Sequence, residues 1–163
     1  MRLVDYTKRV YETSQVPIIG ICFGHQILGR ALGGRVHVSP QGWEVAVCDV
    51  FLNARGAAIY GTQALALHQM HRDAVLEVPP GAENIGSSPD CALQALYVPG
   101  RVLSLQSHPE FDGFIMNNLL DMRHEQKIFN DELFGSGKRR ADIHHDGVMV
   151  AAAWWKFLLE EEF

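Results

Sequence analysis

The sequence predicts an α/β fold: a mostly parallel sheet flanked by helices, with a small antiparallel flap that carries the later strands. The run at residues 16–21 is apolar throughout, as expected of a parallel strand that is buried on both faces. A stretch with helical spacing of apolar residues follows at 25–32, and further helical stretches close the chain. The length of 163 residues, with 47% apolar residues, indicates one globular domain over residues 1–163.

Periodicity and turn signals predict the remaining elements. Gly33-Gly34 ends the helix that follows the apolar strand, and Pro99-Gly100 predicts the turn of a hairpin. In chain order, the other predicted elements are a helix at 2–14, strands at 35–38, 43–51, 64–68, 75–78, 91–98 and 101–106, and helices at 114–134 and 146–162.

Cys22 is flanked by Gly20 and Gly24, directly after the apolar strand and before a helical stretch. This Gly-x-Cys-x-Gly spacing is that of a nucleophile elbow, a sharp strand-to-helix turn at which the neighbouring residues must leave room for a substrate. The dipole of the following helix favours the thiolate form of such a cysteine, which makes its sulfur nucleophilic. The alternative is a structural cysteine buried at the end of a strand.

A second motif, His108-Pro109-Glu110, follows the predicted strand at 101–106. A cysteine nucleophile needs a base for its proton and a carboxylate that fixes the tautomer of that base. His108 and Glu110 are two residues apart, so their side chains point the same way on an extended strand end, and Pro109 stiffens the pair. We therefore expect Cys22, His108 and Glu110 to meet at the carboxyl ends of neighbouring parallel strands.

Residues 17–26 and 106–110 closely resemble the motifs of the class I, triad-type glutamine amidotransferase domain. That domain occurs in GMP synthase, anthranilate synthase and carbamoyl phosphate synthetase, and in stand-alone relatives. The resemblance implies a Cys-His-Glu triad that hydrolyses a γ-glutamyl amide through a thioester, with no cofactor. Cys22 would be the nucleophile, His108 the general base and acid, and Glu110 the carboxylate that orients the histidine.

The same resemblance implies a set of oxyanion and substrate-binding groups. The backbone N–H of Phe23 would be one oxyanion donor, and Gln26 would contact substrate glutamine. His71 and Asp73 lie within residues 68–75, which resemble the substrate-side loop of stand-alone fungal amidotransferase-like proteins and plant γ-glutamyl peptidases. The implied substrate is a small molecule, either glutamine or a γ-glutamyl compound, and any ammonia acceptor would belong to a separate synthetase subunit.

The start of the chain departs from the family pattern. Class I domains resemble one another in beginning with two or three strands and a glycine-containing loop, one backbone N–H of which completes the oxyanion hole. Here only the helical residues 2–14 precede the elbow strand, so the resemblance implies a domain that is truncated at its N-terminus, with its first strands missing. Loss of one oxyanion donor typically costs about 2.7–4 kcal/mol of transition-state stabilisation. Three interpretations stay open: a glutamine hydrolase, a γ-glutamyl peptidase, and a non-catalytic remnant that binds a partner.

Composition and spacing argue against other classes of function. The net charge of −5 and the lack of a Lys/Arg-rich face argue against nucleic acid as a partner, and no apolar run approaches the length of a membrane span. The three cysteines have neither metal-ligand nor disulfide spacing, which predicts a reducing, cytoplasmic location. His68, His71 and Asp73 lack the carboxylate-rich shell of a hydrolytic metal site, so no metal is expected.

Several other polar or reactive residues are expected to be structural. His25 is expected to be a hydrogen-bonded core histidine, and Cys48 and Cys91 to be small core residues. The basic run at 138–140 is expected to lie in a solvated loop. The last helix carries an apolar stripe that is expected to pack on the core, formed by Val148, Ala152, Trp155 and Leu159.

Overall fold

The computed structural model describes residues 2–159, which form two β-sheets and six helices. In chain order the elements are α1 (Arg2–Thr13), β1 (Ile18–Ile21), α2 (Phe23–Ala31), β2 (Val36–Val38), β3 (Glu44–Leu52), α3 (Ala54–Tyr60), β4 (Ala64–His71), β5 (Asp73–Val75), β6 (Glu83–Ser87), β7 (Ala95–Val98), β8 (Val102–Leu105), α4 (Gly113–Glu125), α5 (Asp131–Arg140) and α6 (Gly147–Leu158).

The main sheet contains six strands in the order β1-β8-β7-β6-β3-β4, and β2 pairs with β5 in a separate antiparallel sheet. The α/β class with flanking helices is confirmed, but the main sheet is mixed rather than mostly parallel. Within the main sheet, β1 and β8 run parallel, whereas every other pair of neighbouring strands runs antiparallel. The short link across Pro99-Gly100, where Gly100 has a φ of +63°, imposes this direction on β7 and β8, because a parallel pair needs a crossover of about a dozen residues.

The predicted hairpin is therefore confirmed, but its strands belong to the main sheet and not to a flap. β1 lies at one edge of the main sheet as the structure describes it, next to β8. The apolar side chains Ile18, Ile19 and Ile21 of β1 are only partly buried there. The expectation that the first strands of the family domain are missing before β1 stays a prediction.

The structure contains two elements that were not predicted, α3 and β6. The Asn53 side chain caps α3 by accepting a hydrogen bond from the backbone N–H of Gly56 at 2.9 Å. The single helix predicted at 114–134 is two helices. Lys127 adopts a left-handed φ of 60° between them, and the Asn130 side chain caps α5 by accepting from Leu133 N–H at 2.9 Å.

α6 presents to the core a different face from the predicted one. Trp154 and Phe157 are buried, whereas Val148 is 85% exposed and Trp155 is 65% exposed. The predicted extension of this helix to residue 162 lies partly outside the described residues. The basic run at 138–140 forms the last turn of α5 and not a loop. Among residues 2–159, none of the helices combines the length and the apolar character that crossing a membrane requires.

Candidate active site

Cys22 lies between β1 and α2, at the carboxyl end of β1. Ile21 is opposite Leu105 in the parallel register, and the backbone N–H of Cys22 donates to the carbonyl oxygen of Leu105 at 2.9 Å. The Cys22 backbone has a φ of 45° and a ψ of −97°, which a non-glycine residue rarely adopts and which is found chiefly at functional turns. The predicted sharp turn at this cysteine is therefore present.

The two glycines that flank Cys22 have different roles. A Cβ atom on Gly20 would lie 2.6 Å from Leu28 Cδ1 and 2.9 Å from the backbone carbonyl carbon of Gly24. Gly20 thus allows α2 to pack closely on β1. A Cβ atom on Gly24 would meet nothing within 4 Å, so that glycine leaves open space beside the turn.

His108 follows β8 and is held through both its backbone and its ring. Its N–H donates to the carbonyl oxygen of His68 at 2.8 Å, and its Nδ1 lies 2.7 Å from Glu110 Oε1. The ring stacks on Phe111, with 4.0 Å between ring centroids and an interplanar angle of 10°. Because the ionised carboxylate only accepts hydrogen bonds, the bond to Glu110 places a proton on Nδ1 and leaves Nε2 available for chemistry.

Cys22 and Glu110 together set the protonation of His108. Burial alone lowers the pKa of His108, but hydrogen bonding and charge interactions with Cys22 and Glu110 outweigh it and raise the pKa to about 9. For Glu110, burial raises the pKa, and the hydrogen bond from His108 reverses this, so that the pKa is lowered overall. The structure therefore brings the three predicted residues together, at the carboxyl ends of neighbouring parallel strands.

A cleft of about 250 Å³ opens beside Cys22. Phe23 follows Cys22 in the chain, begins α2 and is 58% exposed. Its backbone N–H is among the first of the helix, which have no partner within the helix. Of the predicted substrate-side residues, Gln26, His71 and Asp73 line the cleft. Met70 and Arg72 of the predicted substrate-side loop at 68–75 also line it, whereas Trp43 was not predicted.

The two glutamines Gln26 and Gln106 connect this cleft to the sulfur of Cys22. Nε2 of Gln26 donates to the backbone carbonyl oxygen of Asp73 at 2.8 Å and to Gln106 Oε1 at 3.2 Å. Nε2 of Gln106 in turn donates to Cys22 Sγ at 3.5 Å. Gln26 is therefore bound to protein groups through both of its N–H bonds, in addition to lining the cleft.

Glu44, the first residue of β3, lies at the centre of a buried polar network and is only 4% exposed. Its Oε1 accepts from the Ser88 hydroxyl at 2.6 Å, and its Oε2 accepts from Gln94 Nε2 at 2.7 Å. Nε2 of His71 faces the same Oε2 at 2.9 Å, and Nδ1 of His71 faces the carbonyl oxygen of Asp73 at 3.3 Å. The network thus holds the loop that forms one wall of the cleft.

Glu44, His71 and Cys91 also place possible metal-ligand atoms within 4.8 Å of one another. Burial raises the pKa of the Cys91 thiol to about 12, and the thiol is directed at the carbonyl oxygen of Leu93 at 3.6 Å. A metal would require the deprotonated sulfur. Hydrogen bonds within the protein account for this cluster.

The structural role of His25 is confirmed. Its ring is fully buried between Ser104 Oγ at 2.9 Å and the carbonyl oxygen of Leu93 at 3.2 Å, and burial lowers its pKa to about 3. Cys48 differs from the expectation of a core residue: it is half-buried, with its Sγ 3.0 Å from Arg140 Nη1. Burial nevertheless raises the pKa of Cys48 to about 11.

Residues 2–120 match the family described as glutamine amidotransferase class-I. The chain belongs to the class I glutamine amidotransferase family. It is 33% identical over 160 residues to a glutamine amidotransferase-like protein of Schizosaccharomyces pombe, covering 98% of this chain and 64% of that protein. It is also 33% identical over 125 residues to gamma-glutamyl peptidase 2 of Arabidopsis thaliana, covering 74% of this chain and 50% of that protein.

The fold agrees with a solved structure of a glutamine amidotransferase. The structure of the protein from Methylobacillus flagellatus matches with a TM-score of 0.72 at 24% identity, covering 96% of this chain and 69% of the other. At this level of identity the match shows the fold. The chain spans between one half and two thirds of the length of the two curated relatives described above.

Two polar residues of this candidate site were not predicted from the sequence. Gln106 stands two residues before His108, but nothing local shows that its amide turns back toward Cys22, 84 positions earlier. Glu44 is 27 positions from His71 and 50 from Gln94. A charged residue at the start of a largely apolar strand was the available signal, because such residues are rarely buried without partners.

Proposed function

We propose that this chain hydrolyses the γ-glutamyl amide bond of a small molecule through a thioester on Cys22. The observation that carries the proposal is the strained turn at Cys22 in contact with the His108–Glu110 pair. A Cys-His pair with an orienting carboxylate is the arrangement of cysteine hydrolases. The family assignment supports the same chemistry.

The reaction would begin with attack of the Cys22 thiolate on the γ-carbonyl carbon. The backbone N–H of Phe23 would stabilise the oxyanion, and protonated His108 would give its Nε2 proton to the leaving nitrogen as the C–N bond breaks. A water molecule would then add to the thioester while His108 takes its proton. Cleavage of the C–S bond would release glutamate and restore the thiolate beside protonated His108.

The identity of the leaving group separates two forms of this proposal. Glutamine would release ammonia, which a separate acceptor subunit would then use, whereas a γ-glutamyl conjugate would release an amine or a peptide. The plant relative is named a gamma-glutamyl peptidase, which favours testing the second form alongside the first. Contact of Gln26, His71 and Asp73 with the glutamyl part, and a cytoplasmic location, stay predictions.

The test measures glutamate release from glutamine and from a γ-glutamyl dipeptide, with the intact-mass change of a trapped acyl-enzyme as a second readout. We expect Cys22→Ala to abolish both, a loss of about a thousandfold or more, and Cys48→Ala to keep the parent rate. Iodoacetamide should label Cys22 faster than Cys48 or Cys91, since burial keeps the latter two protonated.

Turnover that survives Cys22→Ala would refute the mechanism. A folded chain that releases no glutamate from either substrate and forms no acyl-enzyme would instead favour the non-catalytic interpretation. The ratio of the two rates in the parent chain decides between an amidotransferase-type glutaminase and a γ-glutamyl peptidase.

A further inference from the structure

The orientation of the Gln26 side chain follows from the group that it meets at Asp73. A backbone carbonyl oxygen can only accept a hydrogen bond, so the Gln26 amide must turn its nitrogen toward the Asp73 carbonyl, 2.8 Å away. The second N–H of the same nitrogen then points at the side-chain amide of Gln106, 3.2 Å away. An inverted Gln26 amide would place two oxygen atoms against each other at Asp73.

This orientation in turn fixes the amide of Gln106. Because Gln26 presents a donor, Gln106 must face it with Oε1, and its nitrogen is thereby directed at the sulfur of Cys22 at 3.5 Å. Gln106 is 0% exposed and Gln26 is 9% exposed, so water does not compete freely for these groups. The arrangement forms a chain of donors that begins at a backbone carbonyl and ends at the reacting atom.

We propose that Gln106 is a catalytic residue that stabilises the thiolate of Cys22, and that Gln26 is the positioning residue that keeps the Gln106 amide in this orientation. The proposal rests on the proposed function only in taking Cys22 as the nucleophile. A thiolate accepts a hydrogen bond far more strongly than a neutral thiol, so a fixed N–H donor shifts the balance toward the reactive form. Gln106 acts with His108 and the N-terminus of α2, which also favour negative charge on this sulfur.

The experiment measures the rate of iodoacetamide alkylation of Cys22 by peptide mass spectrometry, near neutral pH and again at alkaline pH. Only the thiolate reacts, and at sufficiently alkaline pH nearly every accessible thiol is ionised. The ratio of the two rates therefore reports the thiolate fraction separately from accessibility. The alkylation experiment needs no substrate, so its result tests the role of Gln106 independently of the hydrolase assay.

We expect Gln106→Met to lower the near-neutral alkylation rate about tenfold relative to the alkaline rate, which corresponds to loss of about 1.4 kcal/mol of thiolate stabilisation. Gln26→Met should also lower the near-neutral rate relative to the alkaline rate, because the Gln106 amide is then free to turn. Gln69→Met is the matched control: Gln69 is also fully buried, and its amide donates to Gln94 and not to Cys22. The control should keep the parent ratio.

An unchanged ratio in a folded Gln106→Met chain would overturn the proposal, as would an equal fall in Gln69→Met. Thermal unfolding of each variant checks the fold. If Gln106→Met does not fold, Gln26→Met decides the question, because Gln26 lies at the cleft and its replacement leaves Gln106 in place. A parent-like ratio in Gln26→Met would then refute the orienting role.

Discussion

Replacement of Glu44 tests how firmly the buried network holds the wall of the cleft. The carboxylate accepts three short hydrogen bonds, from Ser88, Gln94 and His71, at 2.6 to 2.9 Å. In Glu44→Ala all three donors lose this acceptor, although the Gln94 amide keeps a second acceptor, Ser88 Oγ at 3.1 Å. A hydrogen bond to a charged group contributes about 1.5–3 kcal/mol, so the sum sets an upper bound of about 4.5–9 kcal/mol.

The expected loss is smaller than that bound, because removing Glu44 also removes a buried charge. Breaking a buried, hydrogen-bonded charge network by removing one member costs about 3–5 kcal/mol, and we expect Glu44→Ala to fall in that range. Glu44→Gln should cost only about 1–2 kcal/mol. Its oxygen can still accept from Gln94 and His71. The bond to Ser88 is lost, because Ser88 Oγ already accepts from Cys91 N–H and from Gln94 Nε2, each at 3.1 Å.

Urea denaturation of the parent chain and both variants measures these free energies of unfolding, with an unchanged slope indicating comparable unfolded states. Glu77→Ala provides the control, because Glu77 pairs with Arg35 at 2.7 Å on the surface, where both side chains are more than half exposed. Such a pair contributes about 0–1 kcal/mol. A loss below about 1 kcal/mol for Glu44→Ala, or equal losses for Glu44→Ala and Glu77→Ala, would show that the network does not support the fold.

Three further outcomes are expected. Cys22→Ala should lower the pKa of His108 from about 9, because contact with Cys22 is one of the interactions that raise it, and NMR titration of the histidine rings measures this. Since the folded pKa of His108, about 9, lies above the usual value of 6.5, its stabilising contribution should be complete below about pH 6.5 and be lost as pH rises through about 9. Urea series across that range, with His108→Gln as the reference, would contradict this if the difference between the two chains stayed constant. Gly20→Ala should destabilise the chain by about 1–3 kcal/mol, whereas Gly24→Ala should be nearly neutral, and equal effects would refute the packing argument at the turn.

The sequence allowed the local features of the site to be predicted, because each depends on neighbouring residues. The turn at Cys22 follows from an apolar strand, two glycines and a helix within about ten positions, and the His108–Glu110 pair lies within one motif. The roles of Gln106 and Glu44 could not be predicted in this way. Their partners are brought together only by strand pairing, and no periodicity encodes which way a buried amide turns.

The misassigned face of α6 has a similar cause. Val148 and Trp155 form one apolar face of the helix, and Trp154 and Phe157 form another, so hydrophobic spacing alone cannot select between them. The buried face is the one that meets Tyr60 of α3, whose hydroxyl oxygen accepts from Trp154 Nε1 at 3.2 Å. Because α3 was not predicted from the sequence, the contact that selects this face could not be predicted either.

The geometry of the whole site depends on the parallel pairing of β1 with β8. Hydrogen bonds from Ile18 N–H to Arg101 and from Cys22 N–H to Leu105, at 2.8 and 2.9 Å, fix the register at both ends of the pair. A slip of one residue would turn every side chain of β1 to the opposite face, and a slip of two would move Cys22 by about 6.6 Å along the strand. Either shift would separate the sulfur from the groups that follow β8. The close packing at Gly20 opposes a slip of one residue, because an isoleucine in its place would bring a Cβ atom within 2.6 Å of Leu28 Cδ1.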